Sequence, residues 1–114
     1  MKKDDIILLK EIAYSIKLIE SFCKGISNQN FFRNALIQSA TVRQFEIIGE
    51  AINHLSTNFR EKHSDINWSR AVSFRNVLIH GYREVDYRLV WQTIQEDLPI
   101  LKKQIKKILR DFKE

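Results

Sequence analysis

An all-α, up-and-down four-helix bundle is the fold class that this sequence predicts, and three observations carry the prediction. Apolar residues recur at steps of three and four along most of the chain, the period of one buried helix face. Residues that interrupt helices are scarce, with three Gly and one Pro in 114 residues. Ile, Leu, Lys and Glu abound where Val and Thr are few, a balance that favours helix over strand.

The first helix is predicted over about residues 4–24. Ile12, Ile16, Ile19 and Cys23 recur at steps of four, three and four, preceded by Leu8 and Leu9. Asp4 and Asp5 suit the positive end of its dipole, and Gly25 can terminate it. Ser27-Asn28-Gln29-Asn30 reads as a loop with Asn30 as the N-cap of a second helix. That helix is expected to run unbroken to about Phe59. Val42, Phe45, Ile48, Ile52 and Leu55 form its apolar stripe, and Arg43, Glu46, Glu50 and Asn53 form the opposite one.

Arg60 to Ile66 is polar and reads as irregular. Asn67 can cap a third helix from Trp68 to about His80, with Gly81 as its stop. Asp86 can cap a fourth, which carries the helical period through Leu101, Ile105, Ile108 or Leu109, and Phe112. Pro99 should kink it near Asp97-Leu98, because proline has no amide hydrogen and crowds the preceding turn. Short loops between long helices imply antiparallel neighbours, hence the bundle. No repeats or linkers appear, so residues 1–114 read as one domain.

Composition narrows the function classes. The chain is 44% hydrophobic and 29% charged, which suits a packed core and argues against disorder. Its formal net charge of +5 favours acidic partners such as RNA, whose phosphates attract Lys and Arg without regard to sequence. Cys23 is alone, which excludes an intrachain disulfide and a cysteine-rich metal site. Ile6 to Leu9 is too short an apolar run for a signal peptide, and no stretch approaches the roughly 18 apolar residues of a membrane span. A cytoplasmic location is expected.

Arg75-Asn76-Val77-Leu78-Ile79-His80-Gly81-Tyr82 is the segment in which chemistry concentrates. Arg presents a permanently charged planar fork suited to phosphate. His can take or give a proton near neutral pH. Together they are the parts needed to cleave RNA without metal: one group moves a proton at a ribose hydroxyl or a leaving oxygen, and another stabilises charge at phosphorus. On one helix Arg75 and His80 lie about 140° apart around the axis and ~7.5 Å apart along it, whereas Asn76 and His80 share a face. Two such helices crossing at a two-fold axis could gather both sets into one cleft.

Arg75 to Tyr82 resembles the signature of the HEPN superfamily: an Arg, a polar residue, then a His a few positions on. The Tyr two residues beyond the His is similar to the pattern of its HepT toxin branch. Flanking stretches match in order: Phe45-Glu46-Ile47-Ile48-Gly49-Glu50-Ala51, Ile66-Asn67-Trp68, Val85-Asp86, Val90-Trp91 and Leu98-Pro99. The likeness spans about residues 40–101, and the first helix matches only in length and character. Two departures stand out. Asn67 and Ser73-Phe74 occupy places where many relatives carry Pro and Gly-Met, and the Phe74 ring is expected near the interface between copies.

The resemblance implies a four- or five-helix bundle and a homodimer with two signature helices at its interface. It implies an endoribonuclease toxin that cleaves RNA without metal or cofactor, with Arg75 and His80 catalytic. Beside them Asn76 is read as orienting His80 or the RNA, and Glu50, on a stripe that otherwise reads as a solvated, salt-bridged face, as positioning Arg75 at the dimer cleft. The resemblance further implies a cognate minimal nucleotidyltransferase antitoxin that transfers AMP from ATP to Tyr82. An anionic nucleotide there would occupy the RNA site and offset its positive field, as a phosphate would.

Plainer readings stand beside these. His80 could be a structural histidine at a helix end, Tyr82 a packing residue, and Asn76 a neutral interface residue. Arg75 could pair with Glu46 or Glu50, a role compatible with binding phosphate. Gly49 weakens a helix by roughly 1 kcal/mol relative to Ala, which close approach of another helix would explain. Lys103, Lys106, Lys107 and Arg110 read as a solvated face, Trp68 and Trp91 as core, and His54 and His63 as surface residues without metal-ligand spacing. Two alternatives to the toxin remain: a non-catalytic accessory subunit that binds nucleotide or substrate for a nucleotidyltransferase, and a plain helical dimerisation module.

Overall fold

Asp4 and Asp5 lie in the first turn of α1 (Lys3–Cys23) in the computed structural model, which describes residues 1–80 and 84–112. Ile6, Leu9, Ile12, Ile16 and Ile19 are buried along one face of α1, as the three-and-four spacing requires. The helix ends at Lys24, and Gly25 follows at φ 73°, a left-handed backbone that glycine adopts without steric cost. Asp5, beyond facing the positive end of the helix, ties α1 to a turn far along the chain. It is buried and accepts from the Ser56 amide (2.9 Å) and hydroxyl (2.8 Å).

The expected second helix is three. Ser27, not Asn30, caps α2 (Asn28–Arg33), its hydroxyl accepting from the Asn30 amide at 3.1 Å. Asn34 then caps α3 (Ala35–His54) by accepting from the Ile37 amide at 3.0 Å. Closely spaced Ser and Asn residues offer several competing caps, and burial of Phe31 settles which are used. Phe31 has no exposed surface and packs its ring 5.1 Å from that of Trp91, fixing α2 as a separate turn. At the other end the chain leaves the helix at Leu55, and Ser56 caps α4 (Thr57–Lys62), accepting from the Phe59 amide at 3.1 Å. Residues expected to be partly irregular thus begin inside a helical turn.

The remaining boundaries agree with the sequence. The Asn67 side chain accepts from the Arg70 amide at 3.1 Å and opens α5 (Trp68–His80). The Asp86 carboxylate accepts from the Arg88 and Leu89 amides and opens α6 (Tyr87–Asp111). α6 passes through Pro99 without ending. Proline lacks the amide hydrogen that would reach the Gln95 carbonyl, so one rung of the ladder is missing there. No strand occurs among the described residues.

Helices α1, α3, α5 and α6 form the all-α bundle, with α1 packed on α3, α3 on α5, and α1 on α6. Leu9, Ile12, Ile16 and Ile19 of α1 join Phe45, Ile48 and Ile52 of α3, and Val90, Ile94, Leu98 and Ile105 of α6, in one core. Truncating any of these to Ala is a roughly 2–5 kcal/mol loss. The spatial order is therefore α5, α3, α1, α6. Between the two outer helices a groove of about 500 Å3 opens, lined by Phe45, Ile48, Phe74, Val77, Leu98 and Leu101 among others. At this groove Arg70 Nε donates to Asp97 Oδ2 at 2.9 Å, linking α5 to α6.

Candidate active site

Gly49 positions the site. A Cβ built on it would overlap the Cβ of Arg75, lie 2.7 Å from its Cγ and 3.3 Å from the Ala71 carbonyl oxygen. Any side chain would therefore push α5 off α3 at the residue expected to bind phosphate. The close approach of another helix, which would explain a helix-weakening glycine here, is present.

One turn of contacts spreads from this approach. Arg75 Nη2 donates to Glu50 Oε2 at 2.6 Å, a charge-assisted bond across the α3–α5 interface. Arg75 Nη1 donates to Asn76 Oδ1 at 3.0 Å. Of the two carboxylates weighed for Arg75, Glu50 is the partner. The Arg75 side chain is 24% exposed, so its stem is packed while part of the guanidinium faces out. A guanidinium carries five N–H groups, and these bonds use one on each Nη. One hydrogen on each Nη remains for a phosphate oxygen, while Nε is buried without a partner among the described residues.

Asn76 and His80 are both exposed on α5, four residues apart on one face. Among the described residues His80 makes no side-chain hydrogen bond, and nothing joins it to Arg75 within one protomer. Tyr82 lies outside the described residues, as does Gly81.

His54 is the residue that sequence reasoning missed. It is exposed, but its Nε2 lies 2.9 Å from Glu50 Oε1, so the Glu50 carboxylate is shared between an imidazole and a guanidinium. The i,i+4 spacing of Glu50 and His54 on one helix was the available signal. Phe74 was expected near an interface between copies. Its ring packs edge-on against Phe45, with centroids 5.0 Å apart, and is half-buried at the groove.

Both tryptophans pack in or against the core. Trp68 is buried with its indole N–H on the His63 carbonyl at 3.0 Å, and Trp91 packs on Phe31. Lys103, Lys106, Lys107 and Arg110 are exposed along α6. Burial pushes the Cys23 thiol up from its ordinary range, opposed by the Thr41 hydroxyl 3.8 Å away. Among the described residues no group of three or more His, Cys, Asp or Glu is arranged to hold a metal, and no helix is long and apolar enough to cross a membrane.

Comparison with known proteins places this chain in a family. A Methanocaldococcus jannaschii protein named "Gamma-glutamylcyclotransferase and putative RNase" is 41% identical over 112 residues; the match covers 98% of this chain but only 50% of that protein. A "Putative RNase" of Caldanaerobacter subterraneus subsp. tengcongensis is 42% identical over 106 residues, covering 93% of this chain and 91% of its own. The "Probable ribonuclease HepT" of Thermococcus cleftensis is 38% identical over 108 residues, covering 95% and 98%. No solved structure matches the chain. The family model described as "Ribonuclease HepT-like" matches residues 12–108, which include α3, the Gly49–Arg75 approach and all of α5. The chain belongs to the HepT-like ribonuclease family.

Proposed function

We propose that the chain is the toxin of a toxin–antitoxin pair, an endoribonuclease that cleaves RNA without metal in the cytoplasm, with residues 1–114 as one HEPN domain. The observation that carries this reading is Arg75. Its guanidinium is anchored to α3 through Glu50 yet keeps free N–H groups, on the same helix as an exposed His80.

In the proposed reaction a ribose 2′-hydroxyl loses its proton to an imidazole and its oxygen attacks the adjacent phosphorus. The bond from phosphorus to the 5′-oxygen breaks, that oxygen takes a proton, and a 2′,3′-cyclic phosphate remains. Arg75 contributes charge stabilisation at phosphorus, His80 moves the proton, and Asn76 and Glu50 orient the pair. Because Arg75 and His80 diverge around α5, the proposed cleft lies between the α5 helices of a homodimer.

Silencing follows the same chemistry. The Tyr82 hydroxyl would attack the α-phosphorus of ATP on a cognate minimal nucleotidyltransferase, releasing pyrophosphate and a proton. The resulting anionic AMP group would compete with RNA for Arg75.

The test is cleavage of bulk RNA in excess chelator by unmodified protein and by His80→Ala. A loss of about 100-fold or more in the variant supports the reading. Activity absent from the wild type, or unchanged in the variant, favours the accessory subunit. Incubation with the partner and ATP should add one AMP, and Tyr82→Phe should prevent it. AMP on Tyr14 or Tyr87 would refute the assignment.

A further inference from the structure

We propose that His54 is a positioning residue of the RNA-cleaving site, holding the Glu50 carboxylate so that it presents the Arg75 guanidinium in one orientation. The proposal rests on the ribonuclease reading of Arg75 given above.

A glutamate side chain has three rotatable bonds, and one contact does not fix the plane of its carboxylate. Here both oxygens are engaged: Oε2 by Arg75 Nη2 at 2.6 Å and Oε1 by His54 Nε2 at 2.9 Å. A carboxylate only accepts hydrogen bonds, so the contact selects the imidazole form that carries hydrogen on Nε2. His54 and Glu50 lie one turn apart on α3, and the Gly49 approach brings α5 in directly beside them. Backbone and side chain thus act in series. Gly49 sets how near Arg75 comes, His54 sets how Glu50 meets it, and Asn76 holds the other Nη.

Charge makes the arrangement useful. Phosphate bound to Arg75 would sit near an anionic Glu50. A carboxylate with one free oxygen could rotate that oxygen towards the ligand and repel it. With Oε1 occupied by His54, Glu50 acts as a fixed acceptor for Arg75 and turns neither oxygen to the RNA.

A phosphodiester is already anionic when it binds, so a guanidinium that is loosened but still present near phosphorus loses ground-state binding first and keeps most of its charge stabilisation. Loosening it should raise KM more than it lowers kcat. The experiment measures steady-state cleavage of a short RNA oligonucleotide in chelator by wild type, His54→Ala, His54→Gln and Arg75→Ala, with thermal melts of each. His54→Ala should raise KM about fivefold with kcat within about twofold, as loss of one exposed charge-assisted contact implies. His54→Gln, whose amide can donate to the same oxygen, should recover most of the loss. A His54→Ala enzyme with wild-type KM, or one not rescued by Gln at unchanged melting temperature, overturns the proposal. Full activity in Arg75→Ala overturns the ribonuclease reading itself, and this proposal with it.

A second readout does not depend on activity. Nitrogen-15 spectra of the imidazole should show hydrogen on Nε2 of His54 in the wild type. The Nε2 proton should also carry the shift of a hydrogen-bonded group, and that shift should be lost in Glu50→Ala; a spectrum unchanged in Glu50→Ala would refute the contact.

Discussion

Gly49 and Arg75 stand so close that a methyl group on the glycine would occupy the space of the arginine's own Cβ. Backbone spacing between α3 and α5 therefore sets how near the Arg75 stem comes to α3, and the side-chain contacts then orient its guanidinium. The first prediction concerns that spacing. Gly49→Ala should gain about 1 kcal/mol in helix propensity and lose roughly 1–3 kcal/mol to overpacking. Thermal melting should fall by several degrees, and RNA cleavage should fall further than the melt alone explains. A more stable, fully active variant would show that α5 can move away freely.

Arg75→Lys keeps the charge but not the fork. A lysine ammonium cannot satisfy Glu50 and Asn76 and still present two N–H groups to phosphate. Cleavage should drop at least about tenfold, the equivalent of ~1.4 kcal/mol, while the melt changes little. Equal kcat/KM in the two proteins would show that charge alone suffices.

Asp5 and Ser56 should behave as a coupled pair. Asp5→Ala removes two acceptors and leaves the half-buried start of α4 short of partners, a loss of about 1–3 kcal/mol. Ser56→Ala also removes the cap on the Phe59 amide, and the double variant should lose less than the sum of the two. Urea unfolding of the four proteins measures the coupling, and strict additivity would disprove it.

Cys23 should resist alkylation in the folded protein near neutral pH. Burial raises its pKa, and only the thiolate is nucleophilic. The sign for stability follows: this contribution is present below the unfolded thiol pKa and is lost as pH rises through the folded value. Labelling as fast as that of a free thiol would contradict this.

Exposed ion pairs should matter little. Replacing Glu20, which holds Lys102 at 2.9 Å on the surface, should shift stability by less than about 1 kcal/mol because water and salt screen the pair. A larger loss in the melt would assign that contact a structural role.

The long helices were legible because their cues are local. Asn67 and Asp86 cap where a cap residue precedes an apolar period, and Gly25 stops α1 where only glycine bends without cost. The division of residues 28–62 was not legible, because its causes are distant. Ser56 becomes a helix start with help from Asp5, and Phe31 is pinned by Trp91, 60 positions further on. Of the candidate site, the Arg75–Glu50 pairing and the close approach at Gly49 were legible. Its wiring was only half so: Glu50 was expected for Arg75, but His54 was set aside as surface although it lies one turn from Glu50.

Helix α5 packs mainly on α3, is tied to α6 beside the groove through Arg70 and Asp97, and buries only Trp68 and Leu78. Arg75, Asn76 and His80 therefore ride on a poorly moored segment, one able to detach while the rest of the core stays shut. Mild heat or low denaturant should inactivate such a protein well before it denatures. Amide protons of α5 should exchange with solvent ahead of those of α1, and anything that clasps α5 from the open side would close that gap.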